Sequence, residues 1–365
     1  GQTKYHDGNL LGTLQIPDNP ENVAGSIALG DNTYARTGSI MIGSHNYRGQ
    51  IGDQTVDTSK TKDYGININA TTLGTNSFNQ GAFSSVTGAY SIISGKYNGS
   101  GFSDYGAQNF GATITGALNS IESATSSSIY SGIANSIVGT ANRTSNSNGS
   151  LIFGAGNEIK NSITDISAPT SGGDSAKALQ GSLMKAVQKS NSGGATLAIG
   201  GGNTANWTRH TQIIGVNNAV AGNESNISDY NLIDGYNNKS TYVTHATVIG
   251  SGNTVSGEEN GNVEGLILLG DNRNVWSRAD HSVVIGSSDD TEHSYVTRPD
   301  EVIIGHNAYI ENHGGNTSGS GDVAIGHNSF IENYVNQSGS IALGQNSHIR
   351  NSTGSPDNAY MLSQD

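Results

Sequence analysis

An all-β solenoid of stacked parallel coils is the fold class that this sequence predicts, on three observations. A short repeat recurs along the chain: an apolar residue, a free position, a second apolar residue and a glycine, then an asparagine within three positions and an apolar residue five after the glycine. Glycine supplies 51 of 365 residues, about twice its usual share, and charged residues are 13%, about half the usual share. A recurring short repeat indicates one supersecondary element stacked many times.

Residues 340–351 show the repeat most fully. Ile341, Ala342 and Leu343 are apolar in succession, which is typical of a strand covered on both faces. After Gly344 the chain alternates polar and apolar residues, and Ile349 is the candidate for the core. Glycine allows positive φ and asparagine tolerates left-handed backbone, so the segment between the two strands predicts a tight turn. Each repeat therefore predicts strand, turn, strand and connection, with the asparagines of stacked coils bonded in a ladder.

The recurrence of this repeat divides the chain into four blocks. A lead-in is followed by a first set of coils, an insertion and a second set of coils, with bounds 1–24, 25–164, 165–195 and 196–365. In the first set, 75–145 carries a seven-residue glycine period, in which two sevens make one coil. In the second set the repeat glycines follow at intervals from 15 residues, between Gly200 and Gly215, to 21, between Gly305 and Gly326.

The insertion contains the one stretch with helical spacing. Apolar residues stand at positions 176, 179, 183 and 187, and Asp174 is placed to cap the first turn. This spacing predicts a short amphipathic helix over 174–190 that lies outside the roll.

The strand before each repeat glycine predicts an oligomer. Its residues one, two and three positions before the glycine are apolar, and successive side chains of a strand point to opposite faces. One set fills the coil, and the other forms an outward apolar stripe, which soluble monomers rarely expose. A symmetric oligomer would bury that stripe, whatever its number of chains. We assign the interface to the positions two before the glycine: Ala28, Met41, Ile152, Ala198, Ile213, Leu268, Val284, Ile303, Ala324 and Ala342.

The repeats resemble those of a known family. Residues 26–33, 322–329 and 340–347, which read SIALGDNT, DVAIGHNS and SIALGQNS, closely resemble the head repeats of trimeric autotransporter adhesins, the YadA-like heads of Gram-negative bacteria. The resemblance is strong over 25–48 and 196–351 and weak over 75–145. It implies a left-handed parallel β-roll, a homotrimer, and a secreted passenger displayed on the cell surface through an outer-membrane anchor. It also implies adhesion to host matrix, host cells or other bacteria.

Two features depart from that family. Many coils are longer than its compact repeat, and the insertion at 165–195 has no place in it. The sequence begins and ends in mid-pattern, and we interpret it as a segment of a longer protein, without neck, stalk or anchor.

Charge and composition limit the classes of partner that the chain could bind. The net charge of −13 disfavours nucleic acid and anionic membrane surfaces, and the absence of cysteine excludes thiol chemistry. His306 and His327 share one repeat position, but no third ligand recurs, so we expect solvated turn residues and no metal. The acidic cluster at 289–293 lacks the glycine-rich nonapeptide of calcium-binding β-rolls and predicts a solvated loop. We expect no cofactor.

No arrangement of catalytic residues stands out, so we predict that the chain is not an enzyme. The alternative is a carbohydrate-active β-helix protein of the trimeric phage-tailspike type. That class would need an aligned row of carboxylates on one face, and the sequence shows none.

Tyrosines mark the candidate ligand contacts. Those in or beside connections are typical interface residues, although packing of each loop on its neighbour explains them equally well. They are Tyr64, Tyr105, Tyr230, Tyr242, Tyr295 and Tyr334. The connections themselves vary in length, and we assign the adhesive surface to 49–70, 165–195, 220–247, 256–265, 287–300 and 311–322.

Overall fold

Nearly all of the regular structure is parallel β-strand, which confirms the predicted all-β solenoid. The computed structural model describes residues 27–31, 33, 39–44, 46, 70–79, 81, 83–95, 109–123, 131–166, 184–185, 187–289, 293–313, 320–334, 338–351 and 360–362. The chain forms two compact units, unit 1 up to Gly201 and unit 2 from Gly202. The handedness of the coils and the number of chains stay predictions.

Unit 1 contains two parallel sheets. Its strands are β1 (Ile27–Leu29), β2 (Ile40–Ser44), β3 (Thr71–Thr75), β4 (Phe78–Asn79), β5 (Ser85–Ala89), β6 (Ile92–Gly95), β7 (Thr113–Ala117), β8 (Ser120–Ser123), β9 (Ser136–Thr140), β10 (Arg143–Ser145), β11 (Leu151–Ala155), β12 (Glu158–Lys160) and β13 (Leu197–Gly201). The strands that carry the repeat glycines pair in the order β1, β2, β3, β5, β7, β9, β11 and β13. The strands that follow the turn pair in the order β4, β6, β8, β10 and β12.

Unit 2 adds a third sheet. Its strands are β14 (Thr204–Asn206), β15 (Thr208–Arg209), β16 (Gln212–Val216), β17 (Ala219–Ala221), β18 (Ser228–Asp229), β19 (Leu232–Tyr236), β20 (Lys239–Thr241), β21 (Val243–Thr244), β22 (Thr247–Ser251), β23 (Thr254–Ser256), β24 (Val263–Glu264), β25 (Ile267–Leu269), β26 (Asn274–Trp276), β27 (Val283–Ile285), β28 (Tyr295–Val296), β29 (Val302–Ile304), β30 (Tyr309–Asn312), β31 (Val323–Ile325), β32 (Phe330–Asn333), β33 (Ile341–Leu343), β34 (His348–Asn351) and β35 (Tyr360–Leu362).

The sheets of unit 2 follow the same principle, each strand pairing in parallel with its equivalent one coil on. The first strands pair in the order β16, β19, β22, β25, β27, β29, β31, β33 and β35. The second strands pair from β14 through β17, β20, β23 and β26 to β28, and β30, β32 and β34 form a further ladder. The third sheet holds β15, β18, β21 and β24, and it lengthens these coils.

The repeat glycines stand one above another and cannot be replaced by larger residues. Gly139 pairs in register with Gly154, and Gly154 with Gly200. A Cβ built on Gly139 would overlap the carbonyl oxygen of Gly154, and the φ of Gly139 is +135°. Both the close approach and the backbone conformation therefore require glycine.

The interior of the coil corrects our assignment of the interface. The residues two before the glycine point inwards: Met41 is 3% exposed, Ile152, Ile213, Leu268, Val284, Ile303, Ala324 and Ala342 are fully buried, and Ala198 is 1% exposed. Ala28 is half-buried. A side chain enclosed by its own coil cannot contact another chain, so this set is the core and not the oligomer interface. The residues one and three positions before the glycine, on the same strand, face outwards.

The predicted asparagine ladder is present and buried. In unit 1 the side chain of Asn142 accepts two hydrogen bonds from Asn157, from the backbone N at 3.0 Å and from Nδ2 at 3.0 Å. Asn157 Nδ2 in turn donates to the carbonyl oxygen of Gly200 at 2.9 Å. The ladder of unit 2 runs through Asn203, Asn218, Asn238 and Asn253. Each amide side chain thus supplies hydrogen bonds to the backbone of the turn in a neighbouring coil.

The predicted helix is seen in part. Residues 184–185 and 187–189 are helical, while 174–183 and 186 lie outside the described residues. The side chain of Val187 packs on a buried cluster of Phe110, Ile133 and Ile166. The helical segment is therefore attached to the core of unit 1 at its C-terminal end. Residues 49–69 of the predicted connection 49–70 also lie outside the described residues.

Candidate functional site

The main candidate surface is an outward row of apolar side chains on unit 2. Five successive first strands, β25, β27, β29, β31 and β33, each place two such residues on the outer face. We call this the apolar stripe: Ile267, Leu269, Val283, Ile285, Val302, Ile304, Val323, Ile325, Ile341 and Leu343. Every member is half-buried or exposed, whereas the alternate residues of the same strands are fully buried. The interior is thus filled without these ten side chains.

The equivalent face of unit 1 is apolar only at its two ends. Ile27, Leu29, Ile42 and Leu73 are exposed at one end, and Leu151 and Phe153 at the other. Between them, β5 and β7 present Ser85, Thr87, Thr113 and Thr115 outwards. Thr113 Oγ1 donates to Ser136 Oγ at 2.9 Å, so this middle part is a hydroxyl surface. The outward apolar face that we predicted as continuous is interrupted in unit 1.

One edge of the outward face in unit 2 carries a column of rings. Five residues before the glycine, the backbone is left-handed, and His210, Tyr230, His245 and His281 occupy this place with φ between 43° and 56°. We call these four residues the histidine corner. The Tyr230 ring stacks between His210, at 4.7 Å, and His245, at 5.0 Å. In the other coils of unit 2 the position holds Asp300, with a φ of 61°, or a glycine, which adopts positive φ without cost.

A carboxylate accompanies each histidine of this corner. His210 Nδ1 lies 2.9 Å from Asp229 Oδ1, His245 Nδ1 lies 3.9 Å from Glu264 Oε1, and His281 Nδ1 lies 3.7 Å from Asp300 Oδ1. The side chains of Asp229, Glu264 and Asp300 place acidic groups along this edge. The edge is therefore suited to polar or cationic groups of a partner.

The opposite edge, one residue after the glycine, is also partly apolar. Val216 and Tyr236 are adjacent in register and are 50% and 59% exposed. Further along, His306 and His327 stack at 5.4 Å, as their shared repeat position predicted, and His306 Nε2 lies 3.1 Å from Asp289 Oδ2. Within the described part of the chain, no group of three or more His, Cys, Asp or Glu could hold a metal ion.

The second strands of unit 2 carry a further row of rings, the aromatic face, drawn from two sheets: Trp276 and Tyr295 on β26 and β28, and Tyr309, Phe330 and His348 on β30, β32 and β34. Trp276 and Tyr295 meet edge to face at 5.2 Å. Tyr309 stacks on Phe330 at 4.9 Å, and Phe330 on His348 at 5.0 Å. Trp276 and His348 are exposed, whereas Tyr309 is buried, so the ends of this row are its accessible parts.

Two glutamates stand in register beside the aromatic face. Glu311 pairs with Glu332, and Glu332 with Arg350. Desolvation opposes ionisation of Glu332, but hydrogen bonds from Arg350 Nε and from the Tyr309 hydroxyl, at 3.1 Å, outweigh it and hold its pKa below the usual value. An ionised, ion-paired carboxylate does not suit the general acid that glycoside hydrolysis needs.

The tyrosines chosen as ligand contacts fall in different settings. Tyr230 is 52% exposed at the histidine corner, and Tyr334 is 45% exposed and stacks on His313 at 4.3 Å. Tyr242 is half-buried at another left-handed corner, with a φ of 51°. Tyr295 is half-buried and lies within strand β28, not in a connection. Tyr64 and Tyr105 lie outside the described residues.

Comparison of the sequence with protein-family models and with curated proteins finds no match in either set. Within the part of the chain that the structure describes, no helix is both long and apolar enough to cross a membrane.

Proposed function

We propose that this chain is the head of a trimeric bacterial surface adhesin that attaches to host matrix, host cells or other bacteria. The observation that carries the proposal is the apolar stripe of unit 2, which five strands present outwards while the core is already filled. Soluble monomers rarely expose such a face, and packing it on the axis of a symmetric oligomer removes it from water. The number three, and display through an outer-membrane anchor, rest on the resemblance of the repeats.

A trimer presents every other surface three times. Single contacts that are weak then sum to firm attachment by avidity, which favours an adhesive role over tight binding of one ligand. The connections and the exposed rings beside them, of which Tyr230 and Tyr334 are the most accessible of the described candidates, are the surfaces left for the ligand.

Mass and binding together test the proposal. Light scattering of the purified chain should give about three times 37.7 kDa at micromolar concentration. The intact oligomer should bind some of a panel of matrix proteins, host cells and partner bacteria, and the Ile304→Asp variant should bind much more weakly. A monomeric mass, or equal binding by both proteins, would count against it.

The same preparation addresses the alternative of a carbohydrate-active β-helix protein. Incubation with capsule and pectin polysaccharides should release no sugar. Release that is lost in Glu311→Gln or Glu332→Gln would move the assignment to that class.

A further inference from the structure

Two carboxyl groups lie side by side inside unit 2. Glu301 and Asp322 each stand four residues before a repeat glycine, and they directly precede the register pair Val302 and Val323. Both residues are 0% exposed. The coils on either side place uncharged residues there, Ser282 and Ser340. Buried carboxyl groups are uncommon unless they are paired with a cation.

The two groups differ in their supply of hydrogen-bond donors. Asp322 Oδ1 accepts from the backbone N of Ser340 at 2.7 Å, and Oδ2 accepts from Asn333 Nδ2 at 2.7 Å. Glu301 Oε1 accepts from Asn312 Nδ2 at 2.9 Å, but Glu301 Oε2 is buried without a hydrogen-bond partner. Backbone N–H groups of Thr297 and Arg298 also favour the charged form of Glu301, but only Asp322 has both carboxylate oxygens hydrogen-bonded. Donors stabilise a charged carboxylate, so Asp322 is better equipped to be ionised than Glu301.

Among the described residues, no side-chain cation contributes to the electrostatics of either carboxyl group. In the segment before Glu301, the guanidinium of Arg298 donates to the carbonyl oxygen of Thr297 at 3.2 Å, and the Asp300 side chain is 61% exposed beside His281. Ser282, from the preceding coil, contacts the backbone N of Glu301 at 3.1 Å. The other charged or titratable groups of the neighbouring second strands are Tyr309, Glu311, Glu332 and Arg350, with His313 after β30. They alternate along the strands with the inward Ile310, Ile331 and Ile349, so they face away from Asn312 and Asn333.

Electrostatics agrees with this arrangement. Burial raises the pKa of Glu301 well above its usual value and the negative charge of Asp322 raises it further, against hydrogen bonds from Asn312 and from the backbone of Thr297 and Arg298 that lower it. Burial also raises the pKa of Asp322, against the hydrogen bonds that lower it.

We propose that Glu301 keeps its proton at neutral pH beside an ionised Asp322, and that this pair makes the stability of unit 2 depend on pH. The carboxylic acid form removes one of two like charges from a fully buried site. When the pH rises far enough to ionise Glu301, two negative charges share the interior and the surrounding coils loosen.

The sign of the effect follows from the raised pKa. Below the ordinary pKa of an unfolded glutamate, about 4.5, Glu301 is protonated in both states and carries no penalty. Above it the unfolded chain releases the proton and the folded chain retains it, so stability falls as pH rises until Glu301 ionises in the folded state. Over that interval the unfolding equilibrium constant should rise up to about tenfold per pH unit.

Urea unfolding between pH 4 and pH 9 tests this in the full chain. Glu301→Gln imitates the protonated acid, so the variant should lose the decline with pH and become more stable than the wild type at pH 8. Glu264→Gln, at a residue whose side chain is 58% exposed, is the matched control and should keep the wild-type slope. A Glu301→Gln variant with the wild-type slope, or with lower stability at every pH, would overturn the proposal.

Infrared spectroscopy gives a second test that needs no folded variant. The wild type at pH 7 should show the C=O stretch of one protonated carboxylic acid per chain, and this band should disappear at higher pH. If no such band exists at pH 7, Glu301 is ionised and the proposal is wrong.

Discussion

Arg273 donates a hydrogen bond from Nη1 to the carbonyl oxygen of Ala308, 2.7 Å away and two coils further along unit 2. The same guanidinium donates to the carbonyl oxygens of Gly286 at 2.8 Å, Gly305 at 3.2 Å and Ser287 at 3.3 Å. Arg273 is fully buried, and burial lowers its pKa to about 10, so it remains charged at neutral pH. It stands where the asparagine ladder ends, and its backbone N donates to Asn253 Oδ1 at 3.0 Å.

Replacing this arginine should therefore cost far more than replacing a surface one. Arg273→Ala removes the donor to four carbonyl oxygens, one buried and three partly buried, and we expect a loss of roughly 3 kcal/mol or more in the free energy of unfolding. The control, Arg143→Ala, removes surface ion pairs to Glu122 and Glu158 and should cost about 1 kcal/mol or less. Equal losses in urea unfolding would show that Arg273 does not bind the coils together.

The glycine column predicts a contrast between two nearby glycines. A Cβ at Gly326 would overlap the carbonyl oxygen of Gly344, whereas a Cβ at Gly321, with a φ of +71°, would meet nothing within 4 Å. Gly326→Ala should therefore disrupt the stacked coils, and Gly321→Ala should cost only about 1–2 kcal/mol for its left-handed backbone. Circular dichroism and thermal unfolding would distinguish them. Similar midpoints for both variants would contradict the close approach of the strands.

The strands, the turns and the asparagine ladder could be predicted because the backbone preferences of glycine and asparagine mark each turn locally, whatever the rest of the fold contributes. The facing of the first strand was predicted wrongly, because Ile303 and Ile304 are chemically alike. Two signals pointed to the correct facing. The inward position often holds alanine, as at Ala324, which indicates a narrow interior, while polar residues occur in the outward set, as at Gln212 and Asp234.

The ring-stacking corner and the hydrogen bonds of Arg273 could not be predicted from the repeat pattern. The left-handed backbone at Tyr230 falls on a residue type that rarely adopts it, so spacing could not reveal the corner where Tyr230 stacks on His245. The hydrogen bonds of Arg273 reach across two coils and depend on the assembled fold. The substitution of arginine for the ladder asparagine was the visible clue.

The helical segment of the insertion predicts another contrast. Val187 packs on Phe110, Ile133 and Ile166, while Met184 is 50% exposed. Val187→Asp should lower the stability of unit 1 by about 2–3 kcal/mol, since it brings a charge to an apolar cluster. Met184→Asp should stay within about 0.5 kcal/mol of the wild type. If thermal unfolding shows equal, small effects, the segment is independent of the core, as the sequence alone had indicated.

The facing of the first strand gives the sharpest test of the assembly. Ile304→Asp changes an outward residue of the apolar stripe and should leave the coil intact while placing charges at the oligomer interface. Ile303→Asp buries an unpaired charge inside the coil and should unfold its surroundings. Light scattering should therefore show a lower mass for Ile304→Asp with the circular dichroism of the wild type, and circular dichroism should show lost β-structure for Ile303→Asp. An Ile304→Asp protein with the full oligomeric mass would place the interface elsewhere. An Ile303→Asp protein that is folded but monomeric would restore the inward set to the interface.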